Sequence, residues 1–419
     1  MEICGILLAA IELISPVGGE TVALLPEAQK SIMAIDNYDG RLAALKGDAV
    51  CGGLKYSKDP DEKWRTSAPL VLKWRATAGE KGPWRVEMGA DASFAGAEVW
   101  YVPDAKLKIA KEGAAKVCEC TVPRPNLKLG ERYYWRVYGD VKCPVGYSHG
   151  SMMSGKCATC GREAKPSESK TAEFVSDPQP PRWIAIEGRV KNMRDIGGWK
   201  TVDGRRVRQG MVFRGQGLND NSENGDMPGR SRLMVEDLAL LKGKLGIKTD
   251  LDLRTGRETA GAGTSPLGAD VAYVHRPSPA YEGIFARPGA KDDWLGSDGK
   301  RTMAENFRLF CDERNYPIYF HCIGGADRTG SLAYVLNGVL GVQKHDLEVD
   351  WESTFYPTLP EMDKAYNGPK FWRREQYFDE GFAKYGDAGA SWNERIRLYL
   401  LDCGVTQEEI DKFRSIMLE

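Results

Sequence analysis

The chain of 419 residues has no run of eighteen or more apolar residues, which excludes a membrane-spanning helix of ordinary length. It also lacks a charge excess of either sign: 58 basic and 59 acidic residues leave a formal net charge of -1. No global field points to nucleic acid or to an anionic membrane, so local chemistry must carry the functional argument. The apolar start, Met1 to Ile11, has no positively charged stretch before it and meets Glu12 early, which reads as a buried first strand. A clipped export signal is the other reading, so the compartment stays open between exported (periplasm or cell surface) and cytoplasmic. Cysteine is dilute: ten residues with no repeated spacing exclude a disulfide scaffold. No internal repeat is visible. What is present is ordinary for a globular protein, 42% hydrophobic and 28% charged, and long enough for two or three domains.

The two halves follow different patterns. Between residues 60 and 177, apolar side chains alternate with polar ones, as in Leu70, Leu72, Trp74; Trp84, Val86, Met88; and Tyr133, Trp135, Val137. Short period-two runs separated by Gly, Pro and Asp turns predict an all-β immunoglobulin- or fibronectin-like sandwich over 12–177. The stretches NLKLGERYYWRV and TAEFVSD resemble the last strands of fibronectin type III-like domains. A segment rich in Gly, Ser, Lys and Cys interrupts them at 143–168, and SDPQPPR predicts a linker at 178–184. Beyond it, strands alternate with helices. LMVEDLALLKGKLG, MAENFRLFCDERN and SLAYVLNGVLGV have helical spacing, whereas IKTDLDLRT and PIYFHC read as compact strands. That order predicts an α/β domain with a mostly parallel sheet over 185–419.

The most informative string is His321-Cys322-Ile323-Gly324-Gly325-Ala326-Asp327-Arg328-Thr329-Gly330. A bare cysteine-x5-arginine means little, since Cys118 to Arg124 matches it inside a predicted strand, with a proline and no glycine. At Cys322 an apolar strand delivers the cysteine and an apolar helix leaves after the arginine. Two glycines let successive amides turn toward one point, and the helix N-terminus adds its dipole there. Such a loop binds a phosphate dianion and favours a thiolate nucleophile. Arg328 supplies a planar fork for two phosphate oxygens. Thr329 can donate to the sulfur when it leaves, and His321 orients the loop.

HCIGGADRTG resembles the HCxxGKDRTG loop of bacterial tyrosine phosphatases that also include phosphoinositide-active members. NMRDIGGWKTVDGRRVRQGMVFRGQGL (192–218), GIKTDLDLRTGRE, GVLGVQKHDLEVDWESTF and the final YLLDCGVTQEEIDKFRSIML also resemble that family, over roughly 185–419. The resemblance implies the tyrosine-phosphatase fold, a four- or five-stranded central sheet flanked by helices, and hydrolysis through a phosphocysteine that requires no cofactor. The family's loop lysine is Ala326 here, which puts phosphoinositide activity in doubt. Asp327 matches the family's aspartate and is a candidate general acid; its other role would be a structural hydrogen bond. A lid over 278–301 offers Asp292 and Asp293 instead. Asp195, Arg214, Asp252, Arg254 and Glu258 read as ion pairs bracketing the site.

Cys143, His149, Cys157 and Cys160 suit either a structural zinc or a disulfide, and free thiols are the third reading. Trp372, Arg373, Arg374 and Tyr377 form an aromatic–basic stripe that reads foremost as a half-packed helix. Three functions remain: hydrolysis of phosphotyrosine or a similar ester, the same chemistry on inositol polyphosphates or phosphoinositides, and non-catalytic phosphate binding. A sulfur transferase fits less well, because its loop usually has one residue fewer before the arginine. The expected partner is a phosphorylated protein or a small phosphate ester, not nucleic acid. The amino-terminal part carries no catalytic constellation and reads as a packing or targeting module.

Overall fold

Period-two alternation decides the amino-terminal strands, and it does so in a computed structural model describing residues 11–46, 67–122, 125–139, 167–220, 229–259, 261–286, 298–354, 356 and 376–419. Two units emerge: Met1–Leu24 with Ser67–Gln179, and Leu25–Thr66 with Pro180–Glu419.

The first unit holds β1 (Ile11–Ser15), β2 (Glu20–Val22), β3 (Leu70–Thr77), β4 (Trp84–Gly89), β5 (Glu98–Val102), β6 (Lys108–Glu112), β7 (Ala115–Val122), β8 (Arg132–Gly139), β9 (Ser167–Glu168) and β10 (Ala172–Ser176). They form two sheets, ordered β1-β3-β7-β6 and β2-β10-β8-β4-β5, with β9 on β8. Alternate residues of β3, β4, β7 and β8 enter one shared core, including Leu72, Trp74, Trp84, Val86, Cys118, Cys120, Trp135 and Val137. Trp74 and Trp84 meet edge to face with ring centres 5.4 Å apart, a favoured aromatic geometry. Before β8, the Lys128 amide donates to the Tyr133 hydroxyl at 2.9 Å and pins the turn.

The second unit is built on β11 (Arg182–Trp183), β12 (Arg194–Asp195), β13 (Val212–Gln216), β14 (Thr249–Asp252), β15 (Ala272–His275) and β16 (Ile318–Cys322), in the order β11-β12-β13-β16-β14-β15. The sheet therefore has six strands rather than four or five. Four of them run parallel, β13-β16-β14-β15, as the alternating strand–helix pattern implied. The additional pairs come from two-residue strands, with β11 antiparallel to β12 and β12 antiparallel to β13, too short to leave a periodic signal in the sequence. Every residue of β16 is buried, as expected for an interior parallel strand covered on both faces.

Two domain boundaries differ from the sequence expectation. The proposed linker ends inside the sheet, because Arg182 and Trp183 pair with Asp195 and Arg194. Residues 25–66, expected in the strand-rich part, belong to the second unit. The helices Glu27–Met33 and Tyr38–Lys46 explain this. Arg41 is 1% exposed and forks onto Glu352 at 2.7 and 2.8 Å, with Glu348 at 2.9 Å. A buried guanidinium is costly unless so paired, which makes this contact specific for its partner.

Helices carry the rest of the core. Asp327–Leu340 is buried over all but its first residue and ends at Gly341, whose φ of 104° is the left-handed helix-ending conformation. Trp392–Asp402 packs on it, with no room for a Cβ at Gly338, which would lie 2.3 Å from Ile396. Gln407–Met417 starts with the expected cap: the Thr406 hydroxyl accepts from the Glu409 amide at 3.2 Å, and the Thr406 amide donates to the Glu409 carboxylate at 2.9 Å. Among the described residues, no helix is long and apolar enough to cross a membrane.

Candidate active site

The site forms where β16 ends. Cys322 is its last residue and is 1% exposed. The chain then turns through Ile323 to Ala326 into the helix beginning at Asp327. Gly325 adopts φ +70° and leaves no space for a side chain, since a Cβ would lie 2.4 Å from the Gly215 carbonyl on neighbouring β13. Nothing lies within 4 Å of a Cβ built at Gly324. One glycine therefore answers a steric demand, and the other faces open space.

The loop carbonyls are tied outward. Gly217 N–H donates to Ile323 O at 3.3 Å. Asn192 Nδ2 donates to Gly325 O at 3.0 Å and to Gly324 O at 3.3 Å, and Arg214 donates to Gly325 O at 3.0 Å. Among the described residues, the amides of residues 323 to 329 have no hydrogen-bond acceptor. Donors left over when their carbonyls are occupied elsewhere make an anion-binding concavity. Thr329 Oγ1 is likewise buried without a partner.

The outward ties are themselves anchored. Arg214 and Arg194 share Asp350, at 2.7 and 2.9 Å, and Arg194 also donates to the Asn192 side-chain oxygen. Burial and the neighbouring Arg194 push the Arg214 guanidinium down to about 9. Asn192 sits at φ +60°, the left-handed region that asparagine tolerates better than most residues. Asp195, next in the same string, accepts from Arg182 at 2.8 Å and from the amides of Gly197 and Gly210 at 2.8 and 2.6 Å. The Asn-x-Arg-Asp string thus grips the loop at one end and the sheet edge at the other.

Arg328 lies on the helix after the loop and forks onto Glu258, at 2.6 and 2.9 Å. An arginine has five donors, so this bidentate pair leaves three for an anion and fixes the fork's plane. Glu258 is held by the Thr255 amide at 2.6 Å. Burial would raise its carboxyl, but Arg328 and Thr255 hold it below the usual range. His321 is buried between two carboxylates, with Asp250 at 3.1 Å and Asp252 at 3.8 Å. Burial opposes its charged form, yet Asp252 and Asp250 raise it above its ordinary value. A histidine so engaged supports the strand end and is a poor base. Asp252 in turn binds Arg254 at 2.6 Å.

The sequence profile of the tyrosine phosphatase family matches residues 185–419, more than half of the chain and the whole of this site. The chain belongs to the tyrosine phosphatase family. A protein of Cupriavidus necator (strain H16), named "Putative tyrosine-protein phosphatase H16_A0669", is 28% identical over 191 residues, covering 41% of this chain and 65% of its own length. The chain thus spans less than two thirds of that curated relative. Among solved structures, the core catalytic domain of the PP-IP phosphatase SIW14 from S. cerevisiae, in complex with citrate, is 12% identical, with 40% of this chain and 88% of that one covered and a TM-score of 0.23.

Of the residues singled out in the sequence of this tyrosine phosphatase family member, Cys322, the loop 323–326, Asp327, Arg328, Thr329, Gly330 and His321 lie together. Asp195, Arg214, Asp252, Arg254 and Glu258 each sit in an ion pair. The alternative acids Asp292 and Asp293 fall outside the described residues, as do Cys143, His149, Cys157 and Cys160, and Trp372 to Arg374. Among the described residues, no group of three or more His, Cys, Asp or Glu is placed to hold a metal ion. Asn192, Arg194 and Asp350 were missed as site residues, although the string NMRD was visible. So was Tyr281, whose hydroxyl donates to Asp327 Oδ1. It lies within the segment read as a lid, where attention to acidic residues passed over it.

Proposed function

We propose that this protein hydrolyses phosphate monoesters, phosphotyrosine foremost, through a phosphocysteine intermediate on Cys322. The observation that carries the reading is the loop whose carbonyls are tied outward by Asn192, Arg214 and Gly217 while its amides lack acceptors among the described residues, set between Cys322 and the Glu258-held Arg328. In the first step, the Cys322 thiolate forms a bond to phosphorus as the ester P–O bond breaks. The amides of residues 323–328 and Arg328 hold the non-bridging oxygens, and the Asp327 carboxyl gives its proton to the leaving oxygen. In the second step, water attacks phosphorus, the S–P bond breaks, and Asp327 takes up a proton from that water. Thr329 Oγ1, buried and unpartnered, can donate to the departing sulfur.

For the first unit, we infer a fibronectin type III-like sandwich acting as a packing or targeting module, supported by its two sheets sharing one core. The test of the main reading is phosphate release with EDTA present, for the wild type and Cys322→Ser. The substrates are p-nitrophenyl phosphate, a phosphotyrosine peptide and inositol hexakisphosphate. Turnover lost in the serine variant and highest on the peptide supports the proposal. Highest turnover on inositol hexakisphosphate moves it to inositol polyphosphates, and no turnover leaves phosphate binding without catalysis.

A further inference from the structure

Tyr281 occupies a backbone conformation that side-chain-bearing residues seldom adopt, φ +54°, and is 3% exposed. For a bulky residue such a conformation persists only where surrounding contacts over-determine it, and such positions concentrate at functional sites. The contacts here are of two kinds. Its ring is enclosed by Trp351, Tyr377 and Phe378, with centres 6.3, 6.1 and 6.1 Å away. Its amide and its hydroxyl both lead to the start of the helix after the phosphate loop. The Tyr281 amide donates to Ser331 Oγ at 3.0 Å, Ser331 Oγ donates to the Asp327 carbonyl at 2.9 Å, and the Tyr281 hydroxyl donates to Asp327 Oδ1. One residue thus holds Asp327 by its backbone and by its carboxyl. Among the described residues, Asp327 Oδ2 has no hydrogen-bond partner.

We propose that Tyr281 is a positioning residue for proton transfer by Asp327, filling Oδ1 so that Oδ2 carries the proton given to the leaving oxygen. The inference rests on the phosphatase reading with Asp327 as acid. As the ester P–O bond breaks, the Oδ2 proton moves to the alcohol oxygen, and the carboxylate left behind keeps its hydrogen bond from the Tyr281 hydroxyl. A donor fixed on that carboxylate strengthens as charge develops. In the hydrolytic step, Oδ2 recovers a proton from the attacking water.

The experiment measures kcat/KM, which reports formation of the phosphocysteine and not its hydrolysis, for wild type, Tyr281→Phe, Asp327→Asn and the double variant. The substrates are a phosphotyrosine peptide, whose leaving group needs protonation, and p-nitrophenyl phosphate, whose leaving group needs it far less. Asp327→Asn should lose about 10²-fold on the peptide, within the usual range for a general acid, and much less on the activated ester. Tyr281→Phe should lose about tenfold on the peptide and under about threefold on the activated ester, and should add nothing to Asp327→Asn in the double variant. Equal losses on both substrates, or losses that add to those of Asp327→Asn, make Tyr281 a packing residue and overturn the proposal. If Asp327→Asn itself shows no leaving-group dependence, the assignment of the acid fails, and the role of Tyr281 with it. A wild type without turnover sinks both. The activated-ester rate also reports folding of each variant, since misfolding lowers both rates together.

Discussion

Cys118 and Cys322 both open a cysteine-x5-arginine string, and they are equally buried, at 0% and 1% exposure. Their surroundings differ in what the next residues do. After Cys118, β7 continues to Val122, paired residue by residue with β3 and, as far as Glu119, with β6. The thiol points into a core of aliphatic and aromatic side chains, and burial pushes it up to about 11. After Cys322 the sheet ends, the carbonyls are pulled aside, and a helix brings Arg328 back. Burial alone thus says nothing about use: a buried thiol inside a continuing paired strand is packing, whereas one facing unsatisfied donors can meet an anion.

The sharpest break in this comparison is serine at each position. Cys322→Ser should lower turnover on the order of 10³-fold or more, because its alkoxide is not available at neutral pH. Cys118→Ser should leave kcat within about twofold and cost about 1–2 kcal/mol in urea unfolding, the penalty of a hydroxyl in an apolar strand core. Loss of activity in Cys118→Ser without loss of fold would mean the two strings are not so different.

A smaller effect concerns the arginine. Glu258→Gln should reduce kcat/KM about tenfold, since the Arg328 fork loses its bidentate partner. The same pair carries a pH signature. The Glu258 carboxyl is depressed in the folded state, so its stabilisation is complete above the unfolded carboxyl pKa, about 4.3, and is lost as pH falls through the lower folded value. The stability gap between wild type and Glu258→Gln should therefore be full near neutrality and shrink below about pH 4. An undiminished gap in acid would show that the ion pair is not its source.

Asn192→Ala should act more gently, weakening inorganic phosphate inhibition and kcat/KM by similar factors of about five, as the Gly324 carbonyl loses the Asn192 donor while the Gly325 carbonyl keeps the one from Arg214. The smallest change belongs to the first unit. Tyr133→Phe removes the acceptor of the Lys128 amide and should cost about 1 kcal/mol of stability with unchanged turnover.

Strand alternation in 70–77, 84–89 and 132–139, the buried run PIYFHC and the Thr406–Glu409 cap were legible because each is a local pattern imposed by one element on its own residues. The strand–loop–helix carrying Cys322 and Arg328 was legible for the same reason, the two lying six residues apart. The edge strands β11 and β12 were not, since two residues have no period. The assignment of residues 25–46 to the second unit depended on Arg41 meeting Glu352, 311 positions away.

The sequence by itself determined the loop from Cys322 to Arg328 as a strand–loop–helix turn, the alternation of strands and helices that carries it, and the type of chemistry proposed there. Only the tertiary structure decided which distant groups make the loop usable: Asn192 and Arg214 holding its carbonyls, Asp350 holding Arg214, Glu258 aiming Arg328, and Tyr281 reaching Asp327. The physical reason is that an anion site needs donors left unsatisfied in a buried place. That condition is met by pairing the acceptors elsewhere, through contacts between residues whose spacing along the chain carries no pattern.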